Sequence, residues 1–588
     1  MAKFVRLNMT NRSFRVEDVP AQFANMGGRW LSSSLVAAEV PPLCHPLGPN
    51  NKVVFAPGII TGTIAPTSAR VSVGGKSPLT GGIKESNSGA SWAQDLANLR
   101  IRALIVEGQA PDKDKYWGAS LSWDAAAGIP KVEFWDATEY ARKSLYEVFP
   151  KIYQRFGDGI SIAGCGVAGE YGYGNAGVVF NDLKKAPTRY SGRGGLGSAL
   201  GSKGLIFIVS NRAGGPGIEI ANKDLFEQGR KKMLEALNTH AITKPKGALN
   251  TYGTAVLINI VNEAGGLSTR NFSTGRFEGA AKISGEHIFE GNKLRTGKEI
   301  YNHACSPGCV IRCSNSWYKE DGSEHVSCVE YESDWALGAN CGIDNFDQIA
   351  EMVRLCNDIG LDTIEAGDSI AVAMDGGIIP FGDGKKAIEL IKEIGKGTPL
   401  GRILGAGTET TGRVLGVTRV PTVKGQSMPA YDPRAVKGIG TTYATTTMGA
   451  DHTAGYTICP EILGVMGKVD PLSPEGKAAL SRAFQATTAF IDSTGHCLFT
   501  AFATLDIPAG YQGMIEECNG VMGTHWNADE VLNIGKEIIR RERKFNEEAG
   551  FNNGRDRLPE FMKLEPLAPH NQVFDVPDSA LDTVFGEL

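Results

Sequence analysis

Short alternating runs dominate the first third of the chain. In residues 4–7 and 14–16 apolar side chains flank a single arginine, Arg6 and Arg15, on either side of an MTNRS turn. Similar runs recur at 52–55, 70–73, 103–106 and 131–134, separated by glycine- and proline-rich turns. A period of two predicts strands with one buried face. Helices are sparse here, with 92–99 and 137–148 the better candidates. The polar stretch 211–218, containing RAGGPG, marks a boundary, and beyond it the period lengthens. Residues 223–238 place Leu225, Phe226, Met233, Leu234 and Leu237 at helical spacing. Residues 253–265 read as a helix stopped by the glycine pair 265–266, and the segment from there to Arg295 reads as irregular. Further helices are expected at 346–359, 363–374, 479–491 and 528–549, with a tail from His570 to the end. The pattern predicts an α+β protein: a sheet-rich part over 1–210, then two mainly helical parts over 211–403 and 404–588.

A chain of 588 residues exceeds one ordinary core, which agrees with several packed domains. Hydrophobic content of 42% and 74 glycines fit a globular enzyme rich in turns. The formal net charge of -5 gives no electrostatic reason to expect nucleic acid. No apolar run is long enough to span a bilayer and the first residues lack a secretory apolar region; a reduced, cytoplasmic setting is expected from the cysteine usage. The 11 cysteines are too few and odd in number for a disulfide scaffold, which leaves some as ligands and others as small core residues.

The segment HACSPGCVIRCSN places Cys305, Cys309 and Cys313 at intervals of four around Pro307 and Gly308. Cys497, in IDSTGHCLF, is the candidate to close a four-thiolate cage. Thiolate softness favours an iron–sulfur cluster or zinc, and the spacing does not choose between them; a helix with buried cysteines also fits the period. Three glycine-rich loops carry basic or amide residues: TGTIAPTSARV with Arg70, KSPLTGGIKESNSGA with Lys76, Lys84 and Asn87, and YSGRGGLGSALGSKG with Arg193 and Lys203. Such loops are either anion nests or solvated turns, and none matches a dinucleotide or P-loop pattern. Glu330 and Glu332 lie two apart, and His452 sits among small polar residues rather than on an apolar face.

Taken in order, APTSARVSVGGKSPLTGG with SNSG, SGRGGLGSALGSKG, the cysteine run, EYESDWALGAN, IGLDTI, MPAYDPR, DHTAGYTICPEILG and DSTGHCLF span nearly the whole chain. The sequence resembles the tungsten-containing aldehyde:ferredoxin oxidoreductases. The resemblance implies a bis-pterin-binding base domain, tungsten held by two pterins (tungstopterin), a [4Fe–4S] cluster and magnesium between the pterin phosphates. It implies oxidation of an aldehyde substrate to a carboxylic acid, with electrons passed to ferredoxin or to iron–sulfur or flavin subunits. The same resemblance makes Glu332 the base, His452 the group at the carbonyl oxygen and Tyr331 a cavity wall. Arg70, Lys76 and the Arg193–Gly194–Gly195 loop should approach pterin phosphates, with Asn87 and Gly194 on magnesium. Asn357, Asp362, Asp492 and His496 fall in the two pterin motifs, and Cys305, Cys309, Cys313 and Cys497 should hold the cluster.

Three departures from the family pattern stand out. The first cysteine spacer is one residue longer than usual, which displaces Cys305. NDIGLD and DSTGHC replace the DxxGLD and DxxGLC motifs, with Asn357 for an aspartate and His496 for a leucine. Arg354 stands where some members place a histidine on a metal between subunits, so no such metal is expected, although an oligomer is. Alternatives are a related tungsten enzyme acting on an aromatic acyl thioester, or a noncatalytic zinc or iron–sulfur scaffold for electron transfer. The scaffold would leave the three loops and the Glu332–His452 pair without a shared task.

Overall fold

The computed structural model describes residues 2–586, so residue 1 and the last two residues of the predicted tail lie outside the described residues. Twelve strands among the described residues build two sheets in the first 210 positions. β1 (Lys3–Asn8), β2 (Ser13–Asp18), β3 (Val53–Pro57), β4 (Arg70–Lys76), β5 (Ile83–Gly89) and β6 (Ile101–Glu107) pair in the order β2-β1-β6-β3-β4-β5. β7 (Trp117–Asp124), β8 (Ile129–Asp136), β9 (Ser161–Gly164), β10 (Val178–Phe180), β11 (Arg189–Ser191) and β12 (Leu205–Ser210) pair as β11-β10-β9-β12-β7-β8. β1 runs parallel to β6 and β12 parallel to β7, while the other pairs are antiparallel. Val53, Phe55, Val71 and Val73 share a core with Val178, Phe180 and Ile208 of the second sheet. Trp92 of the helix Ser91–Asn98 joins them, its ring 5.1 Å from Phe55 and 5.6 Å from Phe180. Apolar alternation on both sheets thus closes one layer against the other.

The α+β reading holds, with helices dominating after residue 222. The helix Lys223–Thr239 packs on Pro508–Met522 with Gly229 against Gly513; a Cβ at Gly229 would stand 2.6 Å from the Gly513 carbonyl oxygen. Two expected segments differ. The helix expected over 137–148 is divided: Thr138–Tyr140 forms a single turn, and a separate helix, Leu145–Phe156, takes in only the end of that span. The stretch expected to be irregular contains the helix Gly285–Thr296, whose start is capped by Ser284 Oγ accepting from the His287 N–H.

A further helix, Gly28–Glu39, was not expected from the pattern and lies over β4 and β3. Its other neighbours are the helices Lys477–Thr494 and Ala528–Glu548. This helix joins the sheets to the last part of the chain. Gly28 adopts φ +49°, and a Cβ there would meet the Asp492 carbonyl oxygen at 2.3 Å, so only glycine permits that approach. Among the described residues no helix is long and apolar enough to cross a membrane.

Candidate active site

A cavity of about 340 Å³ lies where the sheets meet the helical segments. Arg70 and Asn87 reach it from β4 and β5, and Glu330, Tyr331 and Glu332 from the start of the helix Tyr331–Leu337. His452 comes from the loop beyond Lys437–Thr445, and Asp492 and Cys497 from the end of Lys477–Thr494.

Glu332 and His452 face each other, Oε1 to Nε2, at 3.3 Å. Glu332 Oε2 accepts from the Ala430 N–H at 2.9 Å, whereas Oε1 is buried without a hydrogen bond. Burial pushes the Glu332 carboxyl up to about 8, against the opposing pull of the Ala430 N–H and Arg193. Burial also pulls His452 down to about 4; Asp451 favours its cation and Arg193 and Lys84 oppose it. Near pH 7 the pair is therefore a carboxylic acid facing a neutral imidazole. Tyr331 donates to the Ala430 carbonyl at 3.1 Å, which ties its ring to the segment that also binds Glu332. Tyr431 and Tyr456 share a hydroxyl–hydroxyl hydrogen bond of 2.6 Å and flank His452, with ring centres 6.1 and 6.2 Å away.

The cysteine run forms a loop with a single bridge, His303 to Ser314, rather than a helix. Cys305, Cys313 and Cys497 line the cavity, as does Cys328, and Cys309 is buried. A hydrogen bond with Cys309 holds Cys305 well below the ordinary thiol range, and Arg70 and Arg189 add positive charge; burial acts the other way. Arg70 Nη2 lies 2.8 Å from Cys497 Sγ. Thr67 gathers the distant segments: its N–H donates to Gly308 at 2.9 Å, its hydroxyl accepts from the Val310 N–H at 3.1 Å and its carbonyl accepts from the Cys497 N–H at 3.0 Å. Among the described residues no group of three or more His, Cys, Asp or Glu side chains is arranged to hold a single metal ion. A four-iron cluster needs thiolates spread around a larger body than a single ion.

The remaining sequence candidates divide between the cavity and its supports. Asn87 lines the cavity with its side-chain amide nitrogen buried and unpartnered. Asp492 also lines it, pushed up to about 6 by burial although Arg29 stands 3.3 Å away. Arg193 lines the cavity too, with its guanidinium held by protein partners, donating to Asp362 at 3.0 Å and to the carbonyls of Ala450 and Ser427 at 2.8 and 2.9 Å. Asp362 serves as that partner and as the N-cap of Thr363–Asp375. Gly194 and Gly195 take φ +85° and +75° and turn the chain into the short helix Leu196–Gly201. Lys76 points at the Pro42 carbonyl, outside the cavity lining. Asn357 has a buried, unpartnered amide nitrogen near the end of Phe346–Ile359 and does not line the cavity either. His496 turns away to Glu517, Nε2 to Oε2 at 2.8 Å, with both side chains fully buried.

The sequence reading missed Arg29, Glu85 and Arg189, which all line the cavity. Arg29 is held by both oxygens of Glu542 at 3.0 and 2.9 Å, and burial pushes Glu85 up to about 8. Arg189 donates to Ser314 Oγ at 2.6 Å while its Nε is buried and unpartnered. Its position four residues ahead of Arg193, beside the glycine run, was the available signal.

The family model described as the N-terminal domain of aldehyde ferredoxin oxidoreductase matches residues 4–212, and that for its domains 2 and 3 matches residues 228–586. The chain belongs to the aldehyde ferredoxin oxidoreductase family. It is 35% identical to the tungsten-containing aldehyde ferredoxin oxidoreductase of Pyrococcus abyssi, over 96% of this chain and 92% of that protein. The protein of the same description from Thermococcus kodakarensis is 34% identical over the same shares. The WOR-like subunit of an aliphatic sulfonate oxidoreductase of Pyrococcus furiosus is 22% identical, over 90% of this chain and 82% of that one. Among solved structures, the active-site complex of benzoyl coenzyme A reductase superposes with a TM-score of 0.78 at 17% identity, covering 99% of this chain and 93% of that chain. This last likeness shows that the aldehyde ferredoxin oxidoreductase architecture is shared at the level of fold.

Proposed function

We propose that this chain oxidises aldehydes to carboxylic acids, using water as the oxygen source and delivering two electrons to a ferredoxin-type carrier. One observation carries the reading: the facing Glu332–His452 pair and the thiols of Cys305, Cys313 and Cys497 open on the same cavity. The lining also fits the expected groups by its chemistry. The unpartnered amide of Asn87, the buried Arg189 Nε and the Glu85 and Asp492 carboxyls suit the polar edges of pterins, and the thiols suit iron. Cys305, Cys309, Cys313 and Cys497 would hold a [4Fe–4S] cluster, and Arg70, Asn87 and Asp492 would meet the pterins, with magnesium at Asn87. When bound, the tungsten centre supplies Lewis acidity and two-electron redox capacity, and the cluster a one-electron relay.

The protein's own part is acid–base and electrostatic. Glu332 holds a proton at rest because burial disfavours its anion. Once ionised, it accepts the proton released as water adds to the carbonyl carbon. Neutral His452, 3.3 Å from Glu332, hydrogen-bonds the carbonyl oxygen and exchanges protons with the carboxyl. Tyr331, Tyr431 and Tyr456 wall the reacting end and limit water there. Arg70 donates from Nη2 to the Cys497 sulfur at 2.8 Å.

Anaerobic purification followed by metal and pterin analysis tests the reading: tungsten, pterin and about four irons are expected, by the cluster type. Active protein with neither tungsten nor molybdenum would end it. Glu332→Gln is expected to retain these cofactors and lose at least about 100-fold in kcat; full turnover at saturating aldehyde would remove Glu332 from the proton step.

A further inference from the structure

Tyr456, Leu498 and Phe499 line the catalytic cavity on one face and, on the other, a separate chamber of about 70 Å³. Phe484, Phe502 and Leu505 are among its walls, and its rim reaches the surface at Ala483 and at Met466, which is 55% exposed. The chamber therefore lies between solvent and the reacting end of the cavity. Phe499 and Phe502 stack with ring centres 5.6 Å apart, and Tyr456 meets Phe502 edge-on at 6.3 Å. No charged side chain lines the chamber among the described residues. The Tyr456 hydroxyl is engaged with that of Tyr431 at 2.6 Å. The rim is pinned where the Met466 N–H donates to Asp506 at 2.7 Å.

We propose that this chamber is the tail subsite of the enzyme and selects aldehydes with unbranched alkyl tails; the inference rests on the aldehyde reading of the cavity. An aldehyde carbonyl held at His452 directs its hydrocarbon end past Tyr456 and Phe499, one aromatic ring away from the chamber. The walls are predominantly apolar, with polar atoms only on Tyr456, Thr487, Thr488 and Cys459. Such walls reward methylene groups over polar tails, which would give up most of their water without replacement. Size narrows the class further. An apolar cavity of about 150 Å³ is what accepts a benzene ring, and the chamber has about half that volume. It suits a narrow chain rather than an aryl group. Ala483 and Phe499 are the specificity-determining residues, one at the mouth and one at the partition.

The test compares kcat/KM of the tungsten-loaded enzyme for acetaldehyde, butanal, hexanal and phenylacetaldehyde. We expect a rise of about four-fold per methylene over the first few carbons, with hexanal above phenylacetaldehyde. Ala483 is solvent-facing on its helix, so Ala483→Phe narrows the mouth without entering the core. It is expected to lower the hexanal-to-acetaldehyde ratio by about ten-fold or more. Xenon-pressurised crystals give a readout free of turnover: xenon should lie between Phe484, Phe499 and Phe502 and be lost in Ala483→Phe. A flat chain-length profile, a preference for phenylacetaldehyde, equal losses on both substrates in the variant, or a chamber that takes no xenon overturns the subsite while aldehyde oxidation stands. Loaded enzyme that turns over no aldehyde removes the reading beneath it, and this inference with it.

Discussion

Burial drives Glu332 and His452 toward neutrality from opposite sides, the acid up to about 8 and the imidazole down to about 4. A base must be ionised to act, so kcat/KM should rise with pH along a limb centred near 8, and Glu332→Gln should abolish that limb. Asp95 gives the corresponding statement for stability. It is buried, accepts from Ser210 Oγ at 2.9 Å and is pushed from 3.8 to about 6 by burial, with the nearby hydroxyls and Arg212 opposing. Between those values the folded chain keeps a proton that the unfolded chain has released, so stability falls as pH rises from about 4 to about 6. Asp95→Asn should remove about 3 kcal/mol of that fall, measured as the difference in urea-unfolding free energy between pH 4 and pH 7. At this scale Cys305, Cys313, Cys497, Glu332 and His452, which line one cavity, stood out in the sequence because cysteine spacing, paired acids and a histidine among small polar residues survive in one dimension. Arg29 and Glu85 did not, because an isolated charge gains meaning only from what buries it.

The loop and helix ends decide how those side chains are held. Thr67, at φ +56°, uses its N–H, hydroxyl and carbonyl to bind the cysteine loop and Cys497 together. Thr67→Val leaves the Val310 N–H without its acceptor, a loss of about 1–3 kcal/mol for a buried donor. Iron should then be lost faster to a chelator, with helix content unchanged by circular dichroism. The long helix Ala528–Glu548 begins in a capping box, Asn527 accepting from the Glu530 N–H at 3.0 Å and Glu530 from the Asn527 N–H at 2.8 Å. Asn527→Ala should cost about 1 kcal/mol, read as a lower urea midpoint. Helices with a strong apolar stripe, such as Phe346–Ile359, were legible. Gly285–Thr296 was not: of its apolar residues Leu294 is 86% exposed, so the period is weak and the cap at Ser284 supplies the start signal. Leu145–Phe156 contains Pro150, which argues against a helix until its ends are known.

Across the whole molecule, Arg29 ties the helix on the sheets to the last part of the chain through Glu542, which also accepts from Ser33 at 2.8 Å and Thr447 at 2.7 Å. Arg29→Met strands a fully buried carboxylate and should cost about 3–5 kcal/mol, seen as a lower urea midpoint. The double change with Glu542→Gln should recover part of it. Sequence alone determined the α+β order, the residue types able to hold soft metal and move protons, and the family, because periodicity, spacing and motif order are properties of the chain as a line. Only the tertiary structure decided that Arg193 and His496 turn to protein partners, that Thr67 and Arg29 hold the site together, and that an apolar chamber adjoins it. Those outcomes depend on which distant groups share a desolvated volume, and desolvation is set by the packed fold rather than by neighbours along the chain.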